Sequence, residues 1–447
     1  MRALLLVVAL LSSSALAQRG GGRFDRVNSR CIGGRSDRGL PCIDYAFFEF
    51  APASGAGMGA PCACAAVTGA KGEALTLTRG SVGFCTKTAT GGLATTGIAN
   101  GDLVSCTNDK PRVEYDGAGT LGLLVEGART NSTLRSQEID NATWGDDNVG
   151  AVAPTLVGAN DTVAPDGTTT ADSYSFPATT AGQYSARYQP AACPVSTDTL
   201  SVYVKGTSGP GAMDVCVNRT AGVSLLSLEC SFSASSWTRC SVPGAVVSAG
   251  GTIFLGNMTA YNGGTARNAS NVAIWGAQCE AGAYATSYIP TTSAAAARSA
   301  DDARFVLTSP PTLGNFSIAA NAWTPSTTPV MRVHGALLRE PDDGVNFIDS
   351  YQAIGSFQAQ FASTSGLTTF ADGATSTQLR AASYFDGTNV GACINSSCTT
   401  AAKGLFSVAN FTGSLAVRIG SYSAANGNID GVASRVCFEP NLPTRCR

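Results

Sequence analysis

The chain is short of the residues on which most catalysis depends. Among its 447 residues there is one histidine, His334, so any Ser-His-Asp or Cys-His arrangement must use it. It sits in Met331-Arg332-Val333-His334-Gly335, which reads as a strand, and no Gly-x-Ser-x-Gly turn presents a nucleophilic serine. An imidazole on a strand face, bonded to backbone or water, is the better reading of it. Glutamate is also scarce: there are nine, most of them isolated, whereas glycoside hydrolysis generally needs two carboxyl groups about 5 to 9.5 Å apart. No catalytic residue is assigned, although an unfamiliar arrangement can still converge in space.

Other scarcities exclude other classes. Beyond the first residues no stretch approaches the roughly 20 apolar residues of a membrane-spanning helix, so no integral membrane span is expected. Only 13% of residues are charged and the net charge is -2, which gives no general reason to bind nucleic acid. With one histidine and no Cys-x-x-Cys pair there is no zinc-type ligand set. The acidic turns at Asp146-Asp147 and Pro341-Asp342-Asp343 lack the ligand spacing of a calcium loop. Neither a cofactor nor a metal site is expected.

What is present points outward from the cell. Arg2, the apolar run Leu4 to Leu11 and Ala15-Leu16-Ala17 form a signal-peptide pattern over residues 1–17. Residues 18–44 form a Gly/Arg-rich basic arm, and its bland reading is a solvated tail. The fifteen cysteines fit disulfides in an oxidising compartment. Cys62 and Cys64 are too close to bond each other easily, so each needs a distant partner. The middle group, Cys193, Cys216, Cys230, Cys240 and Cys279, is odd and leaves one thiol over or paired outside the group. Cys230 and Cys240 are the favoured pair, facing one another across a hairpin. Cys393, Cys398, Cys437 and Cys446 are also expected in disulfides.

The 51 glycines and only 5 methionines suit strands and turns. Leu200, Val202 and Val204 alternate with Ser201, Tyr203 and Lys205, the period of a half-buried strand. Met213, Val215 and Val217 repeat the pattern, and Leu226, Leu228 and Cys230 follow. Thr291 to Ala297 reads as a linker, after which strand patterns resume from Phe316. The expected fold is all-β: two β-sandwich, jelly-roll-like domains over residues 131–297 and 305–447, after a Cys-rich β region over residues 45–130.

Two neighbourhoods resemble known families. Pro111 to Asp116 and Gly122 to Asn131 look like the junction of phage tail-fibre and head-fibre proteins. Trp144, Ala164 to Asp172, Ser201 to Lys205, Trp275 to Gly282 and Ser287 to Thr291 continue the likeness in order. The resemblance implies a carbohydrate-binding jelly roll. Val417 to Ser421 and Asn428 to Val436, with Phe316 to Trp323, are similar to concanavalin A-like, laminin-G-like domains. Glucanases of that fold carry a Glu-x-Asp-x-x-Glu strand, which is absent here; Glu138-Ile139-Asp140 begins one without its last glutamate.

Sugar rings stack on aromatic side chains while their hydroxyls pair with Asn, Asp and backbone groups. The candidate ligand-binding residues are Trp144, Tyr184, Tyr188, Tyr203, Tyr261, Asn218 and Asn262. Alternation turns Tyr203 toward solvent or a cleft, with cross-strand packing as the other reading; Trp237 and Trp275 read as packing residues. The function expected is a secreted or cell-surface, non-catalytic, glycan-binding or adhesive protein whose partner is carbohydrate. A glycan-cleaving enzyme and a structural surface or fibre component are the alternatives, and oligomers are compatible with either. Nine Asn-x-Ser/Thr sites are acceptors in a glycosylating host.

Overall fold

A computed structural model describes residues 45–49, 61–62, 64, 75–88, 95–115, 119, 121–193, 196–218, 226–247, 250–307, 315–324, 332–340, 347–353, 356–363, 366–372, 378–394, 397–411, 414–420 and 431–440. The leader, the basic arm, Cys31, Cys42, Cys446, Asp342 and Asp343 lie outside the described residues, and so does the side chain of Cys437. The expected all-β class is what the structure has: among the described residues the only helical element is the short turn Val408–Asn410.

The alternation read from residue 200 onward builds a sandwich of two five-stranded antiparallel sheets. One contains Ser196–Gly206, Thr238–Val247, Ser270–Ala281, Thr169–Phe176 and Thr155–Val163; the other contains Leu226–Phe232, Gly211–Asn218, Gly251–Asn257, Tyr184–Cys193 and Gly145–Val149. Leu200, Val202 and Val204 meet Met213, Val215, Val217, Ile253 and Leu255 in the core between them. At Gly276 the alternation slips. This glycine has a φ of 65°, and a Cβ there would lie 2.9 Å from the Tyr203 ring. Ladder register shifts at the same place, between Ser201 and Tyr203, so the bulge lets Trp275 face outward while Ala277 and Cys279 face inward.

Two disulfides cross this core. Cys193 bonds Cys279 and Cys230 bonds Cys240, and in each pair the two cysteines belong to different sheets. The pairing of Cys230 with Cys240 is as the sequence led us to expect, but the hairpin is not. Leu226–Phe232 pairs with Gly211–Asn218, and Thr238–Val247 with Ser196–Gly206, so the bond joins two sheet edges. The odd thiol is Cys216, which is free and buried. Cys62 and Cys64 do take distant partners, Cys85 and Cys106. Cys393 is disulfide-bonded and stands opposite Cys398 in the strand register.

The second sandwich is assembled from both ends of the chain. Its first sheet runs from Ser397–Ala402 through Phe316–Trp323 and Gly431–Pro440 to Leu121–Val125 and Arg112–Tyr115; its second includes Leu75–Thr78, Asp302–Leu307 and Ser414–Ile419. Leu77, Val113, Leu123 and Val125 share one core with Phe305, Phe316, Ile318 and Val417. Strands of the expected Cys-rich region therefore complete the C-terminal sandwich, and the middle sandwich is inserted between Arg129–Asn131 and Ala296–Arg298, which pair with each other. The stretch read as a linker is held at both ends: Thr291 is buried, with its hydroxyl donating to the Thr133 carbonyl at 2.5 Å, and Ala296 and Ala297 pair with Asn131 and Thr130.

A fully buried set of charges lies where these parts meet. Arg79 pairs with Asp301 at 3.1 Å, Arg112 with Glu126 at 2.6 Å and with Asp301, and Arg298 with Glu126 at 3.1 Å. Spare donors are taken by the carbonyls of Ser81, Thr107, Phe84 and Gly127. Burial works against ionisation of Glu126, but Arg298, Arg112 and the Ser287 hydrogen bonds overcome it and hold the carboxyl at about 2. Glu114 differs: burial pushes it up to about 7, with Thr86 donating to Oε1 and no hydrogen-bond partner on Oε2.

Two outcomes follow. Asp301→Asn, which leaves Arg79 and Arg112 under-compensated, is expected to cost about 3–5 kcal/mol in denaturant unfolding. Because the folded pKa of Glu114 lies above its unfolded value, its contribution is full below about 4.5 and is lost as pH rises toward 7. Thermal melts should show that Glu114→Gln flattens the fall in stability over that window, while Asp172, raised to about 6 by burial, still contributes a slope of the same sign. An unchanged slope would mean that Glu114 is already ionised.

Candidate functional site

The outer faces of the middle sandwich differ in what covers them. Over the sheet containing Ser196–Gly206, the residues Phe84, Ile98, Leu103 and Ala164 pack on Tyr203, Trp237, Trp275 and Tyr288. Tyr203 is therefore not turned to a cleft. It is fully buried, edge-on to Trp275 with ring centroids 5.5 Å apart, because the segment carrying Ile98 bridges to Trp237 and closes the face. Trp237 and Trp275 are packing residues, as expected. Trp144 is also buried, in the inter-sheet core, and its indole donates to the Arg135 carbonyl.

The opposite sheet is covered more lightly: on its outer side Ala186, Cys216 and Met258 are buried, Tyr184 and Phe254 are 9% exposed, and Tyr188 and Tyr261 reach the surface. The register fixes what that side carries. One row reads Ser227, Cys216, Phe254, Tyr188 and Gly145; the next reads Glu229, Asp214, Gly256, Ala186 and Asp147. Tyr188 and Phe254 stack with centroids 5.9 Å apart and an interplanar angle of 24°. The Tyr188 ring lies flat over Gly145, where a Cβ would come within 2.5 Å of it. Tyr184 stands beside Tyr261 with centroids 5.3 Å apart. Tyr261 sits on the loop after Gly251–Asn257 and is 41% exposed.

Polar groups border these rings. The Tyr184 hydroxyl lies 3.2 Å from both carboxylate oxygens of Asp147, and burial together with that carboxylate pushes the phenol up to about 12. Asp146 is engaged by Arg187 at 2.6 Å, and the pair read from sequence as an acidic turn lies instead in the strand Gly145–Val149. Buried Asp214 accepts from Arg267 at 2.7 Å, from Asn262 at 3.2 Å and from the Met258 amide at 2.8 Å, which holds the Tyr261 loop down. Arg267 also pairs with Glu229. Burial raises the Cys216 thiol to about 12, leaving it unreactive.

Four of the seven residues named from sequence, Tyr184, Tyr188, Tyr261 and Asn262, thus share one face. Asn218 ends a strand of the same sheet, and its side chain lies outside the described residues. Sequence reasoning missed Asp147 and Phe254 as members of this group. The strand alternation of Tyr184, Ala186 and Tyr188 carried a signal for the face, but the partner strands were not aligned. His334 lies in the strand Arg332–Glu340 as expected. Glu138 pairs with Arg135 three residues earlier at 3.0 Å.

The phrases that resemble phage fibres lie largely in the buried joint. Asn131 donates to the Ile289 carbonyl, Gln278 to Glu280, and Ser287 to Glu126. No protein-family model matches the sequence, and no curated protein matches it. Among solved structures, the sialyllactose-bound CBM40 of the Ruminococcus gnavus IT-sialidase aligns at 13% identity and a TM-score of 0.26, over 30% of this chain and 80% of that one. The CBM22 tandem of Paenibacillus barcinonensis Xyn10C aligns at 12% and 0.24, over 71% and 100%. Mouse laminin α1 domains LG4-5 align at 13% and 0.22, over 59% and 90%. At these scores the architecture rests on the strand pairing described above.

Gly145→Ala should push the Tyr188 ring off the sheet. Denaturant unfolding is expected to show a loss of about 1–3 kcal/mol with the two-sheet fold retained. No loss at all would mean that the ring is not held against this glycine.

Proposed function

We propose that this chain is an exported, non-catalytic protein that binds extracellular or surface carbohydrate at the edge of this aromatic cluster on its middle sandwich, where Tyr261 and Tyr188 reach the surface. The observation that carries the reading is the arrangement of Tyr188 on Phe254 and Tyr184 beside Tyr261, with the Asp147 carboxylate at their border. Aromatic rings offer apolar surface to the C–H faces of a pyranose. Asp147 already accepts from Tyr184 and retains lone pairs for sugar hydroxyls. The platform is fixed before any ligand arrives, because strand register sets the rings and Asp214 anchors the loop, so little ordering entropy is lost on binding.

Export is supported by the disulfides, which persist in oxidising compartments. No helix among the described residues is long and apolar enough to cross a membrane. The non-catalytic part of the proposal draws on electrostatics: Asp146, Asp214 and Glu229 are each engaged by an arginine, a poor state for a general acid or nucleophile.

A glycan array probed with the mature protein is expected to give selective binding. Calorimetry on the glycan selected should then show Tyr261→Ala and Tyr184→Ala each weakening it by about 0.5–1.5 kcal/mol, the range of an aromatic contact beyond its area. An array without selectivity would sink the reading. Release of reducing sugar that is lost on removing one acidic residue would replace it with the enzyme alternative.

A further inference from the structure

A cavity lies away from the tyrosines, at one end of the middle sandwich. It holds about 310 Å³ and is walled by the turn after Ser196–Gly206 and by the segment leading into Ser270–Ala281. That volume is at the lower end for small-molecule pockets, about 300–1,000 Å³, the scale of a single ring.

The walls are tied in place. Thr207 donates its amide to the Asn271 carbonyl at 3.0 Å, and the Asn271 side chain donates to the Ser208 hydroxyl at 3.2 Å. Phe232 closes the apolar side; a Cβ on Gly211 would lie 2.8 Å from its ring, so the glycine is what lets the ring reach the cavity. Asn268, Asn271 and Ser208 line the rim and are exposed.

One group in the cavity is left without a partner. Ser270 is 8% exposed, lines the cavity, and its hydroxyl makes no hydrogen bond. A buried hydroxyl with nothing to bond costs about 1–3 kcal/mol, so its retention here favours something that arrives to bond it. Charge is not offered. The Arg267 guanidinium at the wall gives Nε and Nη2 to Asp214 and Nη1 to Glu229. An aromatic edge, a buried hydroxyl and two amides with no spare charge match a small uncharged ring bearing hydroxyls.

We propose that this cavity is a second binding site, separate from the sheet face, that takes one neutral sugar unit, with the ring against Phe232 and its hydroxyls on Ser270, Asn271 and Asn268. The class of ligand rests on the carbohydrate reading above; the site does not, since it shares none of the stacked aromatics. Arg267 touches both regions, lining the cavity and bonding Asp214.

The test uses the full mature chain made without glycosylation, so that Asn268 is bare, and saturation-transfer NMR with glucose, galactose, mannose, N-acetylglucosamine and glucuronate at roughly 1–50 mM, the range of weak single-unit sites. At least one neutral sugar should bind saturably, weaken about tenfold or more in Ser270→Val, and bind unchanged in the Tyr184→Ala, Tyr261→Ala double variant. Asn271→Ala, at an exposed position, serves if Ser270→Val does not fold and should weaken binding in the same direction. Three results would overturn the site: no neutral sugar binds, binding ignores both cavity variants, or glucuronate binds as well as glucose. The sheet-face reading fails separately, if the double tyrosine variant leaves polysaccharide binding unaffected.

Discussion

Everything in this molecule hangs on a set of charges that never meets water. Arg79, Arg112 and Arg298 lie fully buried with Glu126 and Asp301, contributed by three stretches of chain far apart in sequence. Ions in such a place need full pairing and full hydrogen bonding, because desolvation costs several kcal/mol for each of them. The structure meets most of that demand with backbone carbonyls from the Cys-rich segment and with the Ser287 hydroxyl, leaving Nε of Arg112 and of Arg298 without a hydrogen bond. The arrangement specifies more than it stabilises: an apolar cluster would tolerate small shifts of one sandwich on the other, whereas these partners tolerate very little.

That joint also decides which surfaces remain for binding. The disulfides Cys62–Cys85 and Cys64–Cys106 fold the early segment against one sheet of the middle sandwich, where Ile98 and Phe84 cover Tyr203, Trp237 and Trp275. Aromatic residues of the two sheets thus have opposite fates despite similar sequence settings. Those under the early segment become core, whereas on the other sheet Tyr188 and Tyr261 reach the surface beside the nearly buried Tyr184 and Phe254. The polar edge of the reachable group is set by pairing too, since Asp214 holds the loop bearing Tyr261 through Asn262 and Met258.

How far the sequence alone reached can be judged from Tyr203 and Tyr184. Period-2 alternation placed Tyr203 on the side of the sheet away from Leu200, while Tyr184 was named only for its ring. What alternation cannot express is whether a distant segment lies over that side, and for Tyr203 one does. The Cys230–Cys240 bond was legible as a pair because it is short and both cysteines end alternating runs. Its crossing between sheets was not legible, since local pattern favours a hairpin whenever two strands follow closely. The way distant strands share one sandwich was not legible for a related reason: Leu77, Val113 and Leu123 look like a local β region, and only the long-range pairing of Leu77 with Ala303 and of Leu123 with Ala433 joins them to the other sandwich.

The side-by-side strands Arg129–Asn131 and Ala296–Arg298 have a bearing on how the protein is made. Ribosomes deliver Leu75–Thr78 and Leu121–Val125 early, yet their partners Asp302–Leu307 and Gly431–Pro440 come late, so those first strands wait with open edges that other chains can capture. A middle unit that folds on emerging would bring its own two ends together and replace a long floppy loop with a short rigid one, lowering the entropy of closure for the host. The inserted sandwich then acts as a clasp that lets a protein begun at one end be finished at the other.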